Sequence, residues 1–354
     1  MQSVKVQGDI VMIRGIGRLR KMTRRLGNRF LRRAIILGYH RVAEVPLDPW
    51  FLCVTPQHFA EQLEILRKCY QPIRLKELAQ ALRNGDLPQR AVVVTFDDGY
   101  ADNLLNAKWL LDRYDVPATV FVTTSYIGQN REFWWDELEK LLLLPEELPE
   151  KLKLNINGGI YEWSLRESRE QRTLSNRWDV TMEHFPSPRH EVYKDLHRLL
   201  KPLASEKQYQ MLMEIARWAG SPVDGRLGYR GLDPDELRTL SDDELVEIGS
   251  HTITHPVLSA QPPDIQLREI IHSKKYLEEC IGRPVISFSY PYGGADAVGE
   301  DTIRLVHEVG YKMACASFAA LVTPRSDPYW LPRYMVRDWS GEEFASRLKE
   351  WFRG

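Results

Sequence analysis

One stretch limits this chain more than any other: Ala91-Val92-Val93-Val94-Thr95-Phe96-Asp97-Asp98-Gly99-Tyr100. An uninterrupted apolar run of this length suits a strand covered on both faces, as in a parallel sheet flanked by helices. The run ends abruptly in two adjacent carboxylates and a glycine. In parallel α/β folds the loops that do chemistry gather at the carboxyl ends of the strands. The two aspartates are therefore placed where a reaction would occur. Neighbouring carboxylates repel, and they coexist only with a cation or a proton between them. A turn in which one of them caps a helix starting near Gly99 also accounts for the pattern and is compatible with chemistry.

The segments on either side repeat the same architecture. Ala34-Ile35-Ile36-Leu37-Gly38-Tyr39 reads as a first buried strand that ends by presenting His40. Thr55-Pro56 opens a helix whose inward stripe is Phe59, Leu63 and Leu66, and a second helix from about Leu75 stops at Asn84-Gly85. A helix carrying Leu104, Leu105, Ala107, Leu110 and Leu111 follows the aspartates, and Val116 to Val122 is the next strand. Strand and helix alternating at short intervals predict an α/β fold.

From about Gly128 to Tyr229 the alternation breaks. A helix over 132–142, a hairpin around Asn157-Gly158-Gly159 and helices over 190–200 and 205–219 predict a mostly helical insertion. Trp134 and Trp135 are candidates for contact with a sugar ring, with core packing the expected role of at least one. The α/β pattern then resumes. Asp233 with Glu236 and Ser241 with Glu244 both have capping-box spacing and predict two consecutive helix starts. A strand leads into His251-Thr252-Ile253-Thr254-His255, a helix spans roughly 264–280, and a strand runs into Tyr290-Pro291-Tyr292-Gly293. After a helix ending at Gly310 and a late strand over 313–318, a final helix is capped by Ser340 with Glu343 three on.

The length of 354 residues predicts one large domain with an insertion or smaller lobe. A formal net charge of −1 gives no reason to expect nucleic acid as a ligand. The charge is uneven, however, since residues 1–33 hold ten lysines and arginines against Asp9 alone. With apolar residues interspersed, this arm fits a basic amphipathic helix on an anionic membrane surface, or a helix packed against the body with a charged outer face. A mitochondrial-type presequence is a third reading. No apolar run is long enough for a transmembrane helix and no secretory signal is recognisable, so a cytoplasmic protein, peripheral at most at the inner membrane face, is expected. Cys53, Cys69, Cys280 and Cys315 lack metal-ribbon or disulfide spacing and are expected to be buried free thiols.

His251 and His255 can meet Asp98 in space and leave positions open for water and substrate on a divalent ion. Zn²⁺ is the first assignment, and Fe²⁺, Co²⁺, Ni²⁺ or Mn²⁺ also suit two histidines and one aspartate. Two histidines four apart can equally be surface residues on a turn. With a metal on Asp98, Asp97 stands near the attacking water as a general base.

Thr95-Phe96-Asp97-Asp98-Gly99 and His251-Thr252-Ile253-Thr254-His255 together resemble the first two motifs of the polysaccharide deacetylase family (carbohydrate esterase family 4, the NodB-homology domain). The resemblance covers roughly residues 34–127 and 228–340. Tyr39-His40-Arg41-Val42 and Phe288-Ser289-Tyr290-Pro291-Tyr292-Gly293 look like the branch found with capsule, O-antigen and exopolysaccharide genes.

The resemblance implies a distorted (β/α)7 barrel, with parts at 34–127 and 230–354, and the basic arm at 1–33 and the insertion at 128–229 lie outside it. It implies Asp97 as general base, Asp98, His251 and His255 as metal ligands, and the backbone N–H of Tyr292 as an oxyanion donor. The activity implied is removal of N-acetyl groups from an amino sugar in a surface polysaccharide or a glycolipid precursor, which can be lipid-linked. Another amide or ester (O-acetyl, formyl, cyclic amide) and a non-catalytic glycan-binding or assembly-binding barrel are the alternatives.

The chain departs from the family pattern twice. Serine 289 stands where an arginine that orients the base is expected, and no histidine follows His307 to act as the terminal acid. Arg333 is a candidate for the first vacancy, or else an ordinary surface ion pair. His40 is a candidate for the second, or else a structural histidine.

Overall fold

Seven short strands frame the molecule in a computed structural model that describes residues 32–167, 178–222, 224–242 and 244–353. They are β1 (Ala34–Tyr39), β2 (Ala91–Phe96), β3 (Ala118–Val122), β4 (Val246–Ser250), β5 (Ser287–Ser289), β6 (Met313–Cys315) and β7 (Tyr334–Met335). Their order across the sheet is β6-β5-β4-β3-β2-β1-β7, with every pairing parallel. Gln71–Pro72 adds a short parallel pairing beside the start of β2. The sheet curls until its edges meet. Cys315 bridges Leu331, and Leu331 exchanges backbone hydrogen bonds with Ala314 and Ala316. The expected (β/α)7 barrel is the observed fold, distorted at this seam.

Alternation along the strands explains both cores. Ile35, Leu37, Tyr39, Val92, Val94 and Phe96 face outward and pack under the surrounding helices with Phe59, Leu63 and Leu66. Ala34, Ile36, Ala91, Val93, Phe121, Met313 and Leu331 face inward and form the barrel filling, with Leu75, Leu78 and Ala79 of helix Leu75–Asn84 packed onto them. The inward parity continues past the apolar residues to His40, Thr95, Asp97, His251, Ser289, Ser317 and Arg333. A period of two therefore sends polar side chains from six strand ends into the same rim.

Local signals place the helices. Thr55 caps Pro56–Cys69 by accepting from the His58 N–H, and Gly85 ends Leu75–Asn84 in the left-handed region at φ 72°. Helix Pro263–Ile281 flanks β4, and Gly341–Arg353 lays Phe344 and Leu348 against the outer core. Asp233 and Glu236 form the expected capping box.

Between β3 and β4, helices Trp134–Leu143, Pro188–Leu200 and Ser205–Ala219 enclose a second core with the hairpin Lys151–Ile156 and Gly159–Ser164. Asn157 and Gly158 both have positive φ, as a two-residue hairpin turn requires.

Four expectations are corrected. The second capping signal, Ser241 with Glu244, starts no helix: Ser241 is the last residue of Pro234–Ser241, its hydroxyl donates to the Arg238 carbonyl, and the chain enters β4 at Val246. Pairing of Val246 with Ala118 leaves no room for another helical turn. Leu105 points out, 57% exposed, because Asn103–Lys108 is wound as a π-helix that rotates the stripe before Trp109–Tyr114 continues as α-helix. Cys69 is exposed and Cys280 half-buried, and only Cys53 and Cys315 are buried; all four are free. Both late strands are shorter than predicted, since the chain leaves them early for the loops at the rim. The basic arm lies, but for Arg32 and Arg33, outside the described residues.

Candidate active site and metal centre

β2 delivers the aspartates. In register with β1 from Ala34–Ala91 to Tyr39–Phe96, it ends with the Asp97 N–H donating to the Tyr39 carbonyl at 2.9 Å. The chain then reverses sharply, with Asp98 at φ 72° and Gly99 at φ 80°. Gly99 is obligatory here, because a Cβ would lie 2.9 Å from Val122 Cγ1 and 3.2 Å from its Cα. Asp98 and Gly99 carbonyls accept from the N–H groups of Thr123 and Leu232, which ties the turn to β3 and to the segment before β4.

β4 delivers the histidines through another strained loop, with Thr252 at φ 68° and His255 at φ 59°. A carboxylate that the sequence did not single out holds it. Glu269, on helix Pro263–Ile281, accepts from the Ile253 N–H (2.8 Å), the Thr254 N–H (2.9 Å) and the Thr254 hydroxyl (2.8 Å).

The result brings the expected ligands together. His251 Nε2 lies 3.6 Å and His255 Nε2 3.4 Å from Asp98 Oδ1, and one ligand atom from each residue falls within 4.8 Å of the others. A tetrahedral shell at about 2.1 Å would separate its ligands by about 3.4 Å. His251 Nδ1 sits 2.7 Å from the Ser289 carbonyl, which fixes the proton there and turns the Nε2 lone pair towards Asp98. Asp98 Oδ1 is buried without a hydrogen-bond partner among the described residues.

The electrostatics agree. Burial, then the charges of Asp97 and Asp136, push Asp98 well above the ordinary carboxylate range. Burial pushes both histidines down, His255 furthest, so both offer lone pairs. An anionic group destabilised by burial beside two neutral imidazoles is a divalent-cation site, and the donor set fits such an ion without specifying which.

Asp97 is held differently. Arg333, 1% exposed, donates from Nη1 to Asp97 Oδ1 (2.8 Å) and from Nη2 to Oδ2 (2.7 Å), a two-pronged pair. Its remaining donors reach the Ala316 carbonyl and the hydroxyls of Thr95, Ser289 and Ser317. Arg333 is thus no surface ion pair. The serine at 289 is its partner, and the cation expected on β5 arrives instead from the start of β7. Burial alone would raise Asp97, but the Arg333 guanidinium overrides it and holds the carboxyl well below its usual range.

A cavity of about 340 Å³ opens onto these groups, lined also by His40, Trp135, Tyr292 and Ser317. Asn103 fixes His40 by donating to its carbonyl at 2.8 Å, and the buried Arg41–Asp102 pair (2.9 Å) anchors the next residue. Burial pushes His40 down to about 4, against the raising influence of Asp97. Tyr292 has φ 62°, packs its ring 4.7 Å from His255, and accepts from Trp134 Nε1 at 3.2 Å. Its N–H has no hydrogen-bond partner among the described residues. Trp134 and Trp135 are both buried, and only Trp135 reaches the cavity, its ring 4.8 Å from His255. Trp50, His197 and Lys201 also line the cavity and carried no motif. A tryptophan in a loop, a histidine on an amphipathic helix and a lysine just past its end give no local signal of a shared site.

Several known proteins are similar to this chain. The chain is 22% identical over 331 residues to a poly-beta-1,6-N-acetyl-D-glucosamine N-deacetylase of Staphylococcus aureus, covering 90% of this chain and 82% of the relative. The enzyme of the same name from Staphylococcus epidermidis is 24% identical over 90% of this chain and 83% of its own length. Among solved structures, IcaB from Ammonifex degensii superposes with a TM-score of 0.55 at 15% identity, covering 91% of this chain and 97% of that one. The Streptococcus pyogenes deacetylase PplD in complex with acetate gives 0.52 at 19%, covering 90% and 99%. Both share the fold. The polysaccharide deacetylase family model matches residues 84–150 and 190–314, more than half of the sequence and including both motifs, and the chain belongs to that family.

Proposed function

We propose that the protein hydrolyses the acetamido group of an N-acetylated amino sugar in a surface polysaccharide or its precursor. One observation carries the reading: Asp98, His251 and His255 converge beside a separately ionised Asp97 in one cavity. A divalent ion held by the three ligands supplies Lewis acidity towards the acetyl carbonyl and makes nearby water more acidic.

The protein's own groups do the rest. Asp97, kept charged by Arg333, takes the proton of the water that attacks the acyl carbon. The free N–H of Tyr292 faces the developing oxyanion. The carbon–nitrogen bond breaks, acetate leaves, and the amine takes up a proton. His40 is neutral in the free cavity, so the proton it relays to the amine comes from Asp97 once that group has accepted it. Zn²⁺ is the ion proposed. The insertion in the barrel runs from 128 to 229 and, through Trp135, His197 and Lys201, forms a wall of the site. Work on a lipid-linked precursor at the inner membrane face belongs to the same proposal, and recovery of the native protein only from the medium would end that part.

The test is acetate release from a panel of N-acetylated sugars by Zn²⁺-loaded protein, beside Asp97→Asn. Release is expected from the wild type. The substitution should keep the metal and lower kcat about 10²–10⁴-fold, the usual scale for a general base. Metal-loaded protein that frees no acetate, or an Asp97→Asn variant as fast as wild type, overturns the reading.

A further inference from the structure

The cavity has a wall that hydrolysis does not use. Helix Pro188–Leu200 brings His197 to it, and Lys201 follows directly at the helix end, while Trp50 comes from the loop after β1. The His197 imidazole lies between the rings of Trp50 and Trp134, with centroids at 4.0 and 4.8 Å and both at 31°. Both indoles pack against it, and burial, then the charge of Lys201, push its pKa down to about 3. Lys201 Nζ lies 4.3 Å from the centre of the Tyr292 ring, with no carboxylate in ion-pair contact among the described residues.

Charge balance gives this wall its meaning. Asp97 is matched by Arg333, and a divalent ion on Asp98, His251 and His255 would leave one further positive charge beside it. Lys201 adds a second positive charge to the same cavity, with no carboxylate in ion-pair contact among the described residues. The Tyr292 ring face attracts the ammonium without neutralising it. Its neighbour His197 offers neutral donor and acceptor nitrogens, suited to sugar hydroxyls.

We infer that Lys201, with His197 and Trp50, forms a subsite for an anionic group carried next to the acetamido sugar, either a phosphate ester or a carboxylate. This rests on the deacetylase reading and narrows its substrate to anionic glycans or sugar phosphates. Lys201 is the specificity determinant, while Trp50 and His197 hold the ring beside it.

The experiment titrates Zn²⁺-loaded full-length protein by tryptophan fluorescence, with acetate release measured on the same ligands. N-acetylglucosamine and diacetylchitobiose are the neutral probes. N-acetylglucosamine 1-phosphate supplies the phosphate arm, and a glucuronic acid–N-acetylglucosamine disaccharide the carboxylate arm. At least one anionic probe should bind about tenfold more tightly than its neutral counterpart, the scale of one charge-assisted hydrogen bond. Lys201→Gln should remove that preference through KM rather than kcat, and Lys201→Arg should retain most of it, with melting temperatures confirming that both fold. Equal affinity for neutral and anionic probes, or a preference that survives Lys201→Gln, overturns the subsite. If acetate is released equally from neutral and charged sugars, the subsite falls and the deacetylase stands. If the anion preference appears without acetate from any probe, the subsite stands and the deacetylase falls.

Discussion

Asp97 and Asp98 are chemically identical neighbours with opposite fates, and the difference lies in what each one faces. Asp97 meets a guanidinium square-on and stays charged; Asp98 meets two neutral imidazoles and waits for a cation. Arg333→Ala removes the partner, raises the Asp97 pKa, and should move the acidic limb of the kcat/KM–pH profile to higher pH. An unshifted limb in stopped assays of acetate release would remove Arg333 from that role. His40→Ala should slow turnover without releasing metal, checked by metal content beside kinetics. Asp97, Asp98, His251 and His255 were legible because Asp-Asp-Gly and the spaced histidines need strand ends and a cation to make sense. Arg333 was legible only as a candidate, because whether it reaches Asp97 depends on where the barrel closes. His197 and Lys201 were not legible, since their approach is set by how one helix packs.

At the scale of elements, strand parity does most of the positioning. The inward face that buries Ile36, Val93 and Met313 is the one that continues to His40, Asp97 and Ser317. Loops then re-aim the ligands, and they need bracing from outside the sheet. Glu269→Ala removes three hydrogen bonds to the histidine loop and should weaken metal affinity about 10–100-fold, the usual effect of losing a group that orients ligands. Zinc titration with a competing chelator checks this, and circular dichroism should show helix Pro263–Ile281 intact. The failed helix at Ser241 shows the limit of local signals. Its capping spacing is sound, but β4 had to begin within a few residues, and pairing with β3 prevailed. Leu105 misled for a different reason: a π-helical run changes the angular step, and no periodicity argument anticipates it.

For the whole molecule, the cation site joins parts of the chain more than 150 residues apart in sequence, Asp98 after β2 and His251 after β4. An ion bound only by the folded state stabilises it by mass action, about 2.7 kcal/mol at a hundredfold excess over Kd. Zn²⁺ should therefore raise the melting temperature in calorimetry and a chelator should reverse the rise. His251→Ala should abolish it, and a rise that persists in that variant would place the ion elsewhere.

Residues 331–335 are at once the last stave of the barrel and the bearer of the guanidinium that charges Asp97. A nascent chain displays both aspartates and both histidines long before that stave is made. Arg333 can pair with Asp97 only once the ring is shut, so the depressed pKa of that carboxyl is a property of the closed barrel and of no shorter part of the chain.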